Sequence, residues 1–156
     1  MSGPTRRALR VTVVGRAALV LVGLAPWLVL VLAAALGPTL GEWLGLPFAL
    51  VCHRRPERSL ELFGVIMPVC SRCAGLYAGG ALGALVGRPR LALPTARVVL
   101  ALAAGLLVLD VVTQDAGMHP VWHATRFATG GALGYLAAAT LVGLMGPVAD
   151  PGTHAE

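Results

Sequence analysis

Twenty-one consecutive residues from Ala17 to Gly37, "AALVLVGLAPWLVLVLAAALG", carry no charged side chain. One helical crossing of the ~30 Å hydrocarbon core of a bilayer needs about 20 such residues. Arg6, Arg7, Arg10 and Arg16 precede the run, and "AAA" lies near its end, features shared with signal peptides. The apolar core of a signal peptide is normally only about 7–15 residues, so a retained membrane helix is expected, with Pro26 bending it.

Composition points to the same solvent. Charged residues make up 12% of the chain and apolar residues 57%, whereas a soluble domain carries about 25% charged residues. The expected fold is all-α: a polytopic membrane protein of about four transmembrane helices in one compact bundle. The expected spans are about 17–37, 68–87, 94–113 and 125–148, within one domain of residues 17–148. A basic segment (1–16) precedes it and a short tail (149–156) follows. The second span is counted from Pro68, a favoured first-turn residue, which gives about 30 Å of helix and puts Cys70 and Cys73 in its first turn.

The net charge of +5 comes from arginine, since the chain has no lysine. The arginines stand in clusters between apolar runs, as orientation signals do, and a nucleic-acid partner is not expected. Four lie in the N-terminal segment, and Arg88, Arg90 and Arg97 lie in the 88–97 connection without an acid. The positive-inside rule then predicts an inner (plasma) membrane protein with both termini cytoplasmic and residues 38–67 and 114–124 together outside. Arg54, Arg55 and Arg58 run against that rule. They imply either ion pairs with Glu57 and Glu61 or a ligand.

This topology joins two polar stretches. The first, "VCHRRPERSLELFGVIMPVCSRCAGLY" (51–77), holds all three cysteines. The second, "LDVVTQDAGMHPVWHATRFATGG" (109–131), holds Asp110, Gln114, Asp115, His119, His123 and Arg126. Ionisable groups at such depth usually face the bundle interior or pair with each other, and an Asp110–Arg126 bridge is the expected pair. Gly75, Gly79, Gly83 and Gly87 recur every fourth residue, as do Gly130 and Gly134. Small residues in that register let helix backbones approach closely in lipid. Cys70, Cys73 and Tyr77 fall on a different face from this ridge.

Cys52, His53, Cys70 and Cys73 form a soft ligand set suited to zinc or iron, with His119 or His123 as substitutes for His53. The same thiols suit a membrane thiol–disulfide oxidoreductase, because a helix N-terminus and the Arg72 guanidinium lower a thiol pKa. Buried cysteine as plain packing is the third reading. A fourth is a non-catalytic module in which Arg54, Arg55 and Arg58 hold an anionic lipid headgroup or a partner. "CHRRPERS" also fits the Cys-x5-Arg-Ser pattern of cysteine phosphatases. The segment "HRRPE" lacks the glycines of a phosphate-cradling loop, so enzymatic activity is left open.

"CHRRPERSLELFGVIMPVCSRCAGLYAGG" resembles the signature of small bacterial and archaeal membrane proteins grouped as domain-of-unknown-function family 2085. "LDVVTQDAG" and "TRFATGG" resemble the second motif of that family at Asp110, Gln114, Arg126, Thr129 and Gly130. The chain departs from it in "MHPVWHA". The resemblance covers roughly residues 45 to 135. It implies that both stretches form one site and implies no reaction. The site expected is therefore Cys52, His53, Cys70 and Cys73 as metal ligands, with Arg58, Arg72, Asp110, Gln114 and Arg126 beside them and the bilayer as surroundings.

Overall fold

The computed structural model describes residues 4–87 and 92–145, with side chains described from Val11 and not for Pro38. The connection bearing Arg88 and Arg90, the end of the expected last span (146–148) and the 149–156 tail lie outside the described residues. So do the side chains of Arg6, Arg7 and Arg10.

Helix α1 runs over Pro4–Leu36, so the basic segment extends the apolar helix instead of preceding it. A short helix α2 (Pro38–Gly45) follows, then a 3-10 turn (Leu46–Leu50). Another 3-10 turn (Pro56–Arg58) leads into strands β1 (Ser59–Leu62) and β2 (Val65–Cys70). Helices α3 (Ser71–Val86), α4 (Leu93–Asp115) and α5 (His123–Met145) complete the chain. The protein is thus mostly helical with one small sheet.

That sheet corrects the expected second span. Pro68 opens no helix; it lies in β2, and α3 starts at Ser71. β1 and β2 pair antiparallel, with Ser59 opposite Cys70 and Leu62 opposite Val65. The turn between them is Phe63–Gly64, both at positive φ (56° and 72°). A two-residue hairpin turn of type I′ needs that conformation at both positions, because its twist matches the flanking strands. Met67 and Val69 on β2 are buried with Leu30 of α1 and Ala74 of α3. The hairpin therefore plugs one end of the bundle.

Among the described residues, three helical stretches are long and apolar enough to cross a membrane: Val11–Leu36, Leu93–Asp115 and His123–Met145. α3, at 16 residues, is about 24 Å long at 1.5 Å per residue, so the count of four is not met by length and composition alone. α3 is nevertheless the centre of the bundle, packed between α1 and α5. The glycine ridge explains how. A Cβ added at Gly75 would fall on the Phe127 carbonyl, one at Gly79 on that of Gly131, and one at Gly83 on that of Tyr135. From the other side, a Cβ at Gly130 would strike the Arg72 carbonyl and one at Gly134 that of Leu76. The two helices run parallel at a separation that only hydrogen side chains permit, the close packing that substitutes for hydrophobic association in lipid. Arg16 of α1 closes the far end of α3, donating to Leu85 O at 3.3 Å and Gly87 O at 3.1 Å, where helix carbonyls lack partners.

The surface of the bundle is apolar. Leu21, Leu28, Leu102, Leu106 and Leu144 are all well exposed, an arrangement that suits hydrocarbon and not water.

Candidate functional site

The glycine register also determines which charged residues meet. Arg72 lies one turn before Gly75 and Arg126 one turn before Gly130, so the close approach of α3 and α5 brings both guanidiniums to the hairpin end of the bundle. α4 returns to the same end and continues to Asp115, which puts Asp110 more than a turn inside the helix.

Asp110 does not pair with Arg126. Its partner is Arg72, whose Nε donates to Asp110 Oδ2 at 2.8 Å and whose Nη2 bonds the same oxygen. Arg72 Nη2 also donates to Gln114 Oε1 at 3.2 Å. Arg72, Asp110 and Gln114 are all buried. The expected bridge therefore exists with a different cation: the long Arg72 side chain reaches from the first turn of α3 to Asp110, although α4 itself packs on α5. Arg126 is 2% exposed, and its Nε and Nη1 have no hydrogen-bond partner among the described residues.

Among the loop arginines, Arg58 is corrected in the same way. Arg58 does not pair with Glu57 or Glu61; its Nη2 donates to Asp115 Oδ1 at 3.1 Å, tying the hairpin loop to the end of α4. Ser71 Oγ donates to Arg58 O at 3.2 Å and Ser59 Oγ to Arg55 O at 3.0 Å, which anchors the loop from below. Arg54 is held at φ 48°, a left-handed conformation that a side chain adopts only when its surroundings impose it.

The three cysteines come together. The Sγ atoms of Cys52, Cys70 and Cys73 all lie within 4.8 Å of one another, close enough for one ion to bind all three. Each comes from a different local device. Cys52 follows the 3-10 turn, where its N–H donates to Phe48 O at 2.9 Å. Cys70 ends β2 opposite Ser59, and Cys73 lies in the first turn of α3. The Cys70 N–H donates to Cys52 Sγ at 3.2 Å, the kind of outer contact that orients a ligating sulfur.

His53, His119 and His123 stay outside this cluster. His53 is exposed and lies in the wall of the adjoining cavity. His119 stacks on Trp122 with ring centroids 4.8 Å apart, and its Nε2 is 3.0 Å from Thr113 Oγ1. His123 lies at the start of α5, with Nδ1 buried and unpartnered. The sequence reading missed the role of Asp115, although its place five residues after Asp110 marked it as an end-of-helix acid. It also missed the strands, whose signal was "LFGV" ahead of the apolar run "VIMPVC".

The thiols open on a cavity of about 600 Å³. Arg54, Arg55, Arg58, Arg72 and Arg126 line it together with His53, Asp115 and the three cysteines.

Comparison with known proteins adds a family. A match to the family described as "Predicted membrane protein (DUF2085)" covers residues 52–140, from the first cysteine past the last charged residue of the site. The uncharacterized protein MJ1492 of Methanocaldococcus jannaschii is 32% identical over 92 residues, 56% of this chain and 59% of that one. An uncharacterized protein of Methanothermobacter thermautotrophicus is 38% identical over 86 residues, 53% of this chain and 77% of that one. The match thus spans less than two thirds of the first relative. No solved structure matches the chain.

Proposed function

The chain belongs to the predicted membrane protein family DUF2085, and on that premise we propose that it holds one metal ion on Cys52, Cys70 and Cys73 at the outer end of its helix bundle. The observation that carries this reading is the mutual approach of the three sulfurs, with an N–H directed at one of them. Three thiolates select a soft or borderline ion, zinc before iron. When bound, such an ion supplies a Lewis acid on the cavity side. The protein's own part is to orient the sulfurs from three separate elements and to keep a polar cavity open beside them. His53 lies in the wall of that cavity and stays outside the sulfur cluster.

Four crossings are proposed, with α3 as the short one. Its place between α1 and α5 supports this, as does the hairpin that extends it at the site end. The site end is proposed to face outward, with both termini in the cytoplasm, since Arg16 and Arg97 stand at the opposite end. Exposed Trp43, Phe63 and Trp122 gather around the site end, the aromatic belt expected at a membrane–water boundary.

Metal analysis of the full chain purified in detergent tests the reading. About one zinc or iron per chain is expected, falling sharply in each Cys→Ser variant. Metal-free protein that forms a Cys70–Cys73 or Cys52-containing disulfide under oxidising conditions would shift the assignment to thiol–disulfide exchange. Metal-free protein with three unreactive thiols would leave the cysteines as packing.

A further inference from the structure

Arg126 is a guanidinium with 2% of its surface exposed, lining a cavity, with Nε and Nη1 lacking any hydrogen-bond partner among the described residues. A buried charge of that kind is strongly destabilising unless something pairs with it, and in a membrane such residues mark binding sites. The carboxylates nearby are already engaged: Asp110 with Arg72 and Asp115 with Arg58. Arg55, Arg58, Arg72 and Arg126 line the cavity with Asp115, and Asp110 stands behind Arg72, which leaves two positive charges over; the Arg54 guanidinium lies against Gly45 of α2, on the side of Glu42. Three thiolates around a divalent ion would add only one net negative charge, so the excess persists whether or not a metal is present. Guanidinium groups converging from a loop and two helices match the several acceptor oxygens of a tetrahedral oxyanion.

From this geometry we infer that the cavity binds a phosphate-class oxyanion, with Arg126 as its buried floor and Arg55 and Arg58 at its mouth. The anion satisfies the open donors of Arg126 and supplies the missing counter-charge. At about 600 Å³ the cavity has room for a phosphate group with a small substituent. Free phosphate and the phosphomonoester headgroup of a lipid offer the same chemistry, and the bundle end is open to both.

Two measurements on the full chain test this. In neutral detergent, inorganic phosphate is titrated while thermal unfolding is followed. In nanodiscs, phosphatidylcholine alone is compared with phosphatidylcholine containing phosphatidic acid, and retained lipid is read by native mass spectrometry. Stabilisation by phosphate in detergent identifies the free anion. Selective retention of phosphatidic acid without a phosphate response identifies the lipid. Either supports the inference, provided that Arg126→Gln weakens binding by about tenfold or more, the effect of losing charge-assisted hydrogen bonds. Arg126→Gln should itself fold at least as well as the natural chain, because it removes a buried unpaired charge. Should it fail to fold, Arg55→Gln at the exposed mouth carries the test, with a smaller loss of affinity expected. Cys73→Ser should retain anion binding, so that absence of a metal leaves the result intact. Neither ligand bound, binding unchanged in both arginine variants, or binding lost only in Cys73→Ser would overturn the inference.

Discussion

Arg72 Nε donates to Asp110 Oδ2 at 2.8 Å, bridging from α3 to α4, with both side chains buried. This single pair joins the helix that carries Cys73 to the one that ends beside the arginine-bearing loop. It also uses up the acid that sequence order assigned to Arg126. The site is consequently asymmetric: one guanidinium fully compensated and the other, on the neighbouring helix, exposed only to the cavity.

Asp110→Asn should strip Arg72 of its counter-ion and destabilise the protein by about 3–5 kcal/mol, since one buried charge is left alone. Asp110→Asn with Arg72→Gln should recover part of that loss. Thermal unfolding of the detergent-solubilised single and double variants gives the coupling energy. It should be larger for Asp110 with Arg72 than for Asp110 with Arg126. The reverse order would mean that the observed pairing is not the one in solution.

Metal content should separate the cysteines from the histidines. Cys52→Ser, Cys70→Ser and Cys73→Ser should each lose most of the bound ion, because a site built from three thiolates cannot easily replace one. His53→Ala, His119→Ala and His123→Ala should keep it, since none of these rings joins the cluster. A fall in metal with His53→Ala equal to that with a cysteine variant would establish His53 as the fourth ligand.

Glycines on α3 should differ according to what faces them. Gly79→Ala places a methyl group on the Gly131 carbonyl, and backbone cannot yield as a side chain does. A loss of about 2–3 kcal/mol is expected. Gly80→Ala, where nothing lies within 4 Å, should be neutral or stabilising by up to about 1 kcal/mol through helix propensity. Equal effects in thermal unfolding would contradict the close α3–α5 contact.

Topology is read by reporter fusions. Alkaline phosphatase fused after Gly117 should be active, and fused after Arg90 inactive, if the site end lies outside. An active fusion after Arg90 would turn the bundle over and place the cysteines in the cytoplasm.

Much of the fold was legible in the chain itself. The uncharged run from Ala17 to Gly37 and the scarcity of charge elsewhere permit only a lipid-exposed helical protein. The four-residue spacing of Gly75, Gly79 and Gly83 against Gly130 and Gly134 announced a close helix pair, because in lipid small side chains determine where backbones can meet. The joining of the two polar stretches at one end of the bundle was expected from the alternation of apolar runs and polar connections.

Other features were decided by tertiary structure. The apolar segment "VIMPVC" has no period that separates strand from helix. It became β2 because Phe63 and Gly64 formed a tight turn and the bundle end could bury Met67 and Val69. Ion pairing was undetermined for a similar reason: sequence shows which charges share an end of the bundle, while pairing depends on ångström-scale offsets between helix faces. Those offsets gave Asp110 to Arg72 and Asp115 to Arg58, and left Arg126 buried without a partner. They also brought Cys52, Cys70 and Cys73 within 4.8 Å while holding His53 apart, since adjacent side chains such as Cys52 and His53 diverge and cannot readily turn to one point.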